Sequence, residues 1–175
     1  MSDSRDELLT RVLGFAASDG LADRSLREIA TGAGTSHRML LYHFGSREGL
    51  LTAVVGAMEA QQRAAMTALA ETAATPAELM TGVWRAVSGP EVRPFVRAFF
   101  EVFALATRGA APVPGLTASW LDDAERAGER LGITTDRAMA RLGVAVSRGL
   151  LMDLLAGEDP AEVDAAHDLF VRLAG

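Results

Sequence analysis

Between Ser25 and Phe44 the sequence fits two helices into a very short span, and that compression limits what the chain can be. Ser25-Leu26-Arg27-Glu28 is a capping box: the Ser hydroxyl covers a free helical N–H while the Glu side chain reaches back to the cap. The helix it opens runs only to about Gly32. Gly34 then supplies a turn, Ser36 caps a third helix over 36–44, and Gly45-Ser46 breaks and recaps the chain. Helices this short do not hold alone in water. Leu26, Ile29, Ala30, Ala33 and Leu40 must bind the pair together and to a preceding helix at 5–18, whose Leu8, Leu9, Val12, Phe15 and Ala16 share one face. Two short helices joined by a glycine turn and packed beside a third form a helix-turn-helix unit, and Ala30 is small enough to let the pair cross closely.

The rest of the chain is punctuated for helices too. A long fourth helix runs to about Thr72. Thr75-Pro76-Ala77-Glu78 and Asp159-Pro160-Ala161-Glu162 each place a cap, then Pro at the first helical position, then Glu, and so start the fifth and ninth helices. Pro90 or Pro94 opens a sixth through Phe103 to about Thr107. Pro112 and Pro114 mark 108–115 as a loop, and helices follow at 116–131 and 135–156. Sustained apolar–polar alternation, the mark of strands, is missing. The expectation is an all-α chain of about nine helices: a helix-turn-helix domain over 1–50, then a second helical domain over 51–175.

Composition narrows the function. With 0 Cys there is no disulfide framework or thiolate chemistry. No apolar run is long enough for a transmembrane helix. The polar, acidic start Met1-Ser2-Asp3-Ser4-Arg5-Asp6-Glu7 is unlike a secretory leader, so a cytoplasmic protein without membrane association is expected. No Ser has a nearby base, and Asp122-Asp123 and Glu158-Asp159 read as a solvated helix surface and a helix start. His37 and His43, six apart, point to different helix faces, and His167 stands alone. Neither catalytic residues, a metal site nor a cofactor is expected. The net charge of −6 runs against a nucleic-acid partner. It is uneven, however: residues 1–50 carry −1 and the remainder −5, and every basic side chain is Arg.

The third helix offers hydrogen-bonding types suited to base edges and phosphates. The candidate DNA contacts are Ser25, Thr35, Ser36, His37, Arg38, Tyr42, His43, Ser46 and Arg47. Arg38 can pair bidentately with guanine, and Ser46-Arg47 open the fourth helix, whose free N–H groups favour phosphate. Leu26-Arg27-Glu28-Ile29-Ala30-Thr31-Gly32-Ala33-Gly34-Thr35-Ser36, continued by Leu40-Leu41-Tyr42-His43-Phe44-Gly45-Ser46-Arg47-Glu48-Gly49-Leu50, resembles the DNA-binding signature of TetR-family transcriptional regulators. The resemblance covers about the first 50 residues. It implies a homodimeric bacterial repressor that binds a palindromic double-stranded operator and is released by a small molecule. Two positions depart from the family pattern. Arg38 stands where members often have a small residue, and Leu41 where they have a first Tyr that commonly touches phosphate; Tyr42 matches the second aromatic.

Met58, Gln62, Met66, Met80, Trp84, Phe99, Phe103 and Trp120 are candidate lining for a small hydrophobic or aromatic effector, because Met adapts its shape and the aromatics offer flat apolar walls. The competing reading is a packed core. Met139, Leu142, Val146, Leu150 and Leu154, with Val163, Ala166, Phe170 and Leu173, recur at spacings of three and four and are candidates for a twofold interface of helices eight and nine. The alternative function is a helical small-molecule-binding or dimerisation protein that does not bind DNA.

Overall fold

A computed structural model describes residues 4–21, 24–109, 118–134 and 136–174. Among them the secondary structure is entirely helical: α1 (Arg5–Asp19), α2 (Leu26–Gly32), α3 (His37–Phe44), α4 (Arg47–Thr72), α5 (Pro76–Ser88), α6 (Arg93–Thr107), α7 (Ala118–Arg130), α8 (Arg137–Ala156) and α9 (Pro160–Ala174). No described helix is long and apolar enough to cross a membrane. Of the two prolines that could open α6, Pro94 does so, just inside the helix where its missing N–H costs nothing. Most of the loop expected at 108–115, and the expected first turn at 116–117, lie outside the described residues.

The chain divides into two compact units, Met1–Ala60 with Pro94–Pro114, and Gln61–Arg93 with Gly115–Gly175. The start of α4 and nearly all of α6 belong with the helix-turn-helix, because α6 buries Val96, Ala98, Phe99, Val102 and Leu105 and its Glu101 accepts a hydrogen bond from Leu21 N–H at 2.8 Å.

In the first unit the caps form as the sequence dictates. Ser4 and Ser25 each accept from the amide of the Glu three residues on, and that Glu accepts from the cap amide in return. Leu8, Val12, Leu21, Ile29, Leu40 and Leu50 are fully buried and hold α1, α2, α3 and the start of α4 together. Against α1, the Phe15 ring occupies the space a Cβ on Gly32 of α2 would need. Gly34 carries φ +63, the left-handed conformation that lets the chain turn between α2 and α3. Its N–H bonds to Thr31 O at 3.1 Å and that of Thr35 to Ala30 O at 2.9 Å, closing the end of α2.

The second unit is a helical cluster in which α5, α8 and α9 pack around Trp84, Leu154 and Val163, with Val87, Leu150 and Leu151 against them. Trp84 is 4% and His167 2% exposed. Their rings stack at 4.7 Å with an 11° interplanar angle, and Trp84 Nε1 donates to Asp164 Oδ1 at 2.7 Å. His167, alone in the sequence reading, is thus a core residue. Asp123 also departs from its surface reading: it is 8% exposed and pairs with Arg126 and, at 3.8 Å, with Arg63. Asp122 stays at the surface and meets Arg137 at 3.0 Å. Asp159 caps α9 as expected, accepting from Ala161 N–H at 3.0 Å.

Candidate nucleic-acid interface

The nine candidate DNA contacts all lie in the first unit, on α3, in the segments flanking it and at the N-cap of α2. Helix α3 is anchored by Leu40 and Phe44, both buried. That fixes which residues turn outward. Ser36 and Arg38 are exposed, Tyr42 is 77% exposed, and Thr35 and His37 are partly covered. Leu41, where the family pattern has a first Tyr, is also exposed. The guanidinium of Arg5 lies 5.2 Å over the Phe44 ring and braces the end of α3 against α1.

The three serines do not stand alike. Ser36 Oγ accepts from Met39 N–H at 3.2 Å and caps α3; a hydroxyl that accepts there keeps its own O–H as a donor. Ser25 and Ser46 sit beside carboxylates. Hydrogen bonds from the Ser25 hydroxyl, then from its amide, hold the Glu28 carboxyl below its ordinary range. The amide of Glu48, then the Ser46 hydroxyl, do the same for Glu48. Ser46 Oγ also accepts from Gly49 N–H at 3.0 Å.

His43 and Arg47 turn toward protein. Nε2 of His43 is buried without a hydrogen-bond partner among the described residues, and the ring meets Tyr42 edge-on at 4.9 Å. Arg47 donates from Nε to Arg24 O and from Nη2 to Leu21 O, both at 3.0 Å, so it clamps the end of the α1–α2 connection to the start of α4. Spacing alone gave no signal for this, because the carbonyls it binds belong to backbone.

The candidate effector residues divide between the units. Met58, Phe99 and Phe103 lie in the first, with Phe99 and Phe103 6.0 Å apart on α6. Gln62, Met66, Met80, Trp84 and Trp120 lie in the second. Trp84 is committed to the α5–α9 core, with one face on His167 and its donor on Asp164. Trp120 Nε1 is buried without a hydrogen-bond partner among the described residues. Of the candidate interface residues, Met139 and Leu142 are exposed, and Val146, Leu150 and Phe170 are half-buried. Val163 is buried within the chain against Trp84 and Leu154. Met152 and Leu169, which the stripe reading omitted, are exposed beside Leu173 at 76%.

Comparison with known proteins follows this geometry. Residues 15–54 match the model of bacterial regulatory proteins of the tetR family. A solved structure from Rhodococcus sp. assigned to the TetR-family transcriptional regulators is 25% identical, with TM-score 0.77 over 99% of this chain and 97% of that one. The multidrug binding protein EbrR complexed with imidazole is 25% identical, with TM-score 0.69 over 97% of this chain and 88% of that one. A transcriptional regulator from Streptomyces coelicolor A3(2), 22% identical with TM-score 0.75 over 97% of each chain, shares the fold. The comparison with curated proteins gave no match. The helix-turn-helix of this chain is thus similar to that of the tetR family of bacterial regulatory proteins, and its fold over nearly the whole chain is similar to that of a solved TetR-family transcriptional regulator.

Proposed function

We propose that the chain is a homodimeric transcriptional repressor that reads a palindromic operator with α3 and releases it on binding a small hydrophobic or aromatic effector. The observation that carries the reading is the division of α3: Leu40 and Phe44 anchor it, while Ser36, Arg38 and Tyr42 project into solvent with no acidic residue on the helix. A helix so anchored offers a rigid polar edge to a major groove, where Arg38 can take guanine O6 and N7. The effector class follows from the fold-related EbrR, solved with ethidium, and from the Met and aromatic residues along α4, α5, α6 and α7. The second copy would cover the exposed Met139, Leu142, Met152, Leu169 and Leu173 of α8 and α9.

A mobility-shift titration against DNA from immediately upstream of the chain's own coding sequence tests the reading, with and without ethidium. The expected result is a salt-sensitive shift that a scrambled duplex does not give and that ethidium, checked against its own DNA binding with an unrelated repressor, reverses. Equal affinity for both duplexes would leave the chain a helical ligand-binding or dimerisation protein.

A further inference from the structure

Leu21, the second residue past the end of α1, is held through both of its backbone polar groups. Its N–H donates to Glu101 Oε2 at 2.8 Å, and its carbonyl accepts from Arg47 Nη2 at 3.0 Å. The Leu21 side chain is fully buried, so the residue sits at a fixed point of the first unit. Gly20 makes room for the carboxylate: its φ is +74, and a Cβ there would lie 3.0 Å from both Glu101 oxygens. Glu101 belongs to α6, which is 80 residues further along the chain and forms no part of the helix-turn-helix. Two residues along a helix turn through about 200°, so Glu101 leaves α6 on the side opposite Phe99 and Phe103. One face of α6 therefore carries the aromatic pair offered to the effector, and the other holds the turn that leads into α2.

We propose that Glu101 is a positioning residue through which α6 sets the helix-turn-helix in its operator-reading orientation. A displacement of α6 at the Phe99–Phe103 face moves the carboxylate and frees Leu21 N–H, while Arg47 and Arg24 N–H still hold the Leu21 carbonyl. The inference deepens the repressor reading and rests on it for its DNA arm.

The test compares full-length wild type with Glu101→Gln, which keeps an acceptor at the same reach, Glu101→Asp, which keeps the charge but shortens the reach, and Glu101→Ala. Hydrogen exchange by NMR reads the turn directly. Leu21 N–H should exchange about tenfold faster in the Asp and Ala variants, with Gln restoring protection and amides around Trp84 unchanged. DNA binding reads the consequence. At a temperature where all four chains are folded, the ratio of upstream-duplex to scrambled-duplex affinity should fall about tenfold in Asp and Ala but hardly in Gln, with an unchanged salt slope because no phosphate contact is lost. A merely stabilising side chain would lower melting temperature and leave that ratio alone. Unchanged Leu21 exchange, an unchanged affinity ratio in Ala, or Asp behaving as wild type while Gln fails would each overturn the proposal. If wild type binds neither duplex selectively, the repressor reading fails, and exchange at Leu21 alone decides whether Glu101 holds the turn; should Ala fail to fold, the Asp–Gln contrast decides both arms.

Discussion

Arg38 and Arg47 are both arginines near the reading helix, yet their surroundings assign them different work. Arg38 projects from α3, so Arg38→Ala should cost about 1–3 kcal/mol of operator affinity and relax preference at one base pair; binding-site selection on randomised duplexes checks this. Arg47 ties Leu21 and Arg24 carbonyls to the start of α4. Arg47→Ala should destabilise the protein by about 1–3 kcal/mol in a denaturant melt, in addition to weakening DNA binding. An affinity loss with an unaltered melt would make its contact with DNA the larger role. His167 has a third kind of role. Burial, opposed by the charges of Asp168 and Asp164, lowers its pKa below the ordinary 6.5. The folded chain therefore binds this proton less readily than the unfolded chain. Its contribution to stability is complete above pH 6.5 and declines as pH falls toward the lowered folded pKa. His167→Gln should flatten the acid-side decline of melting temperature between pH 7 and pH 5, about the range over which histidine titrates.

At the level of helices, faces decide what a residue is for. Met139 and Leu142 of α8 and Leu169 and Leu173 of α9 are exposed apolar side chains, whereas Val163 on the same helix pair is core. Leu142→Asp should yield a monomer by light scattering with little change in unfolding free energy per protomer. Val163→Ala should instead cost about 1–3 kcal/mol of protomer stability and leave the association state alone. Helix positions were readable in the sequence because caps act locally. Ser25 with Glu28, Thr75 with Pro76, and Asp159 with Pro160 each need only neighbours a few residues away. Faces were not so readable. The period of three and four that groups Val163 with Phe170 says that a helix has an apolar side, but not which helix covers it. Gly32 is a similar case: its helical position was evident, yet only packing reveals that Phe15 fills the space a side chain would need. The polar edge of α3 was legible because Leu40 and Phe44 fix the opposite side. The inward turn of Arg47 depended on backbone carbonyls brought in from the α1–α2 connection.

For the whole molecule, a repressor must have two states that its ligands weigh differently. A dimer reading one face of B-DNA should protect two half-sites separated by about one helical turn, 34–36 Å, or modestly more, which footprinting measures. Release needs only differential affinity: a coupling of about 1–3 kcal/mol lowers operator binding by about 5–150-fold, and the operator must weaken effector binding by the same factor. Calorimetric titration of ethidium into free and operator-bound protein, corrected for ethidium uptake by the duplex alone, should show that reciprocity. Under the proposed function, the inclusion of α6 in the same compact unit as α1, α2 and α3 would give an effector bound on that helix a short path to α3.

The stack of Trp84 on His167 also makes the molecule self-reporting in the ultraviolet. An imidazolium ring quenches indole emission more strongly than a neutral imidazole, and these rings are 4.7 Å apart. Trp84 emission should therefore dim as His167 takes up its proton, while Trp120, on α7, supplies a second emitter from a different helix. Replacing each tryptophan in turn by Phe would separate two channels, one reading acidity at the α5–α9 core and the other open to changes around α7. A dimming that survives His167→Gln would trace the acid channel to another group.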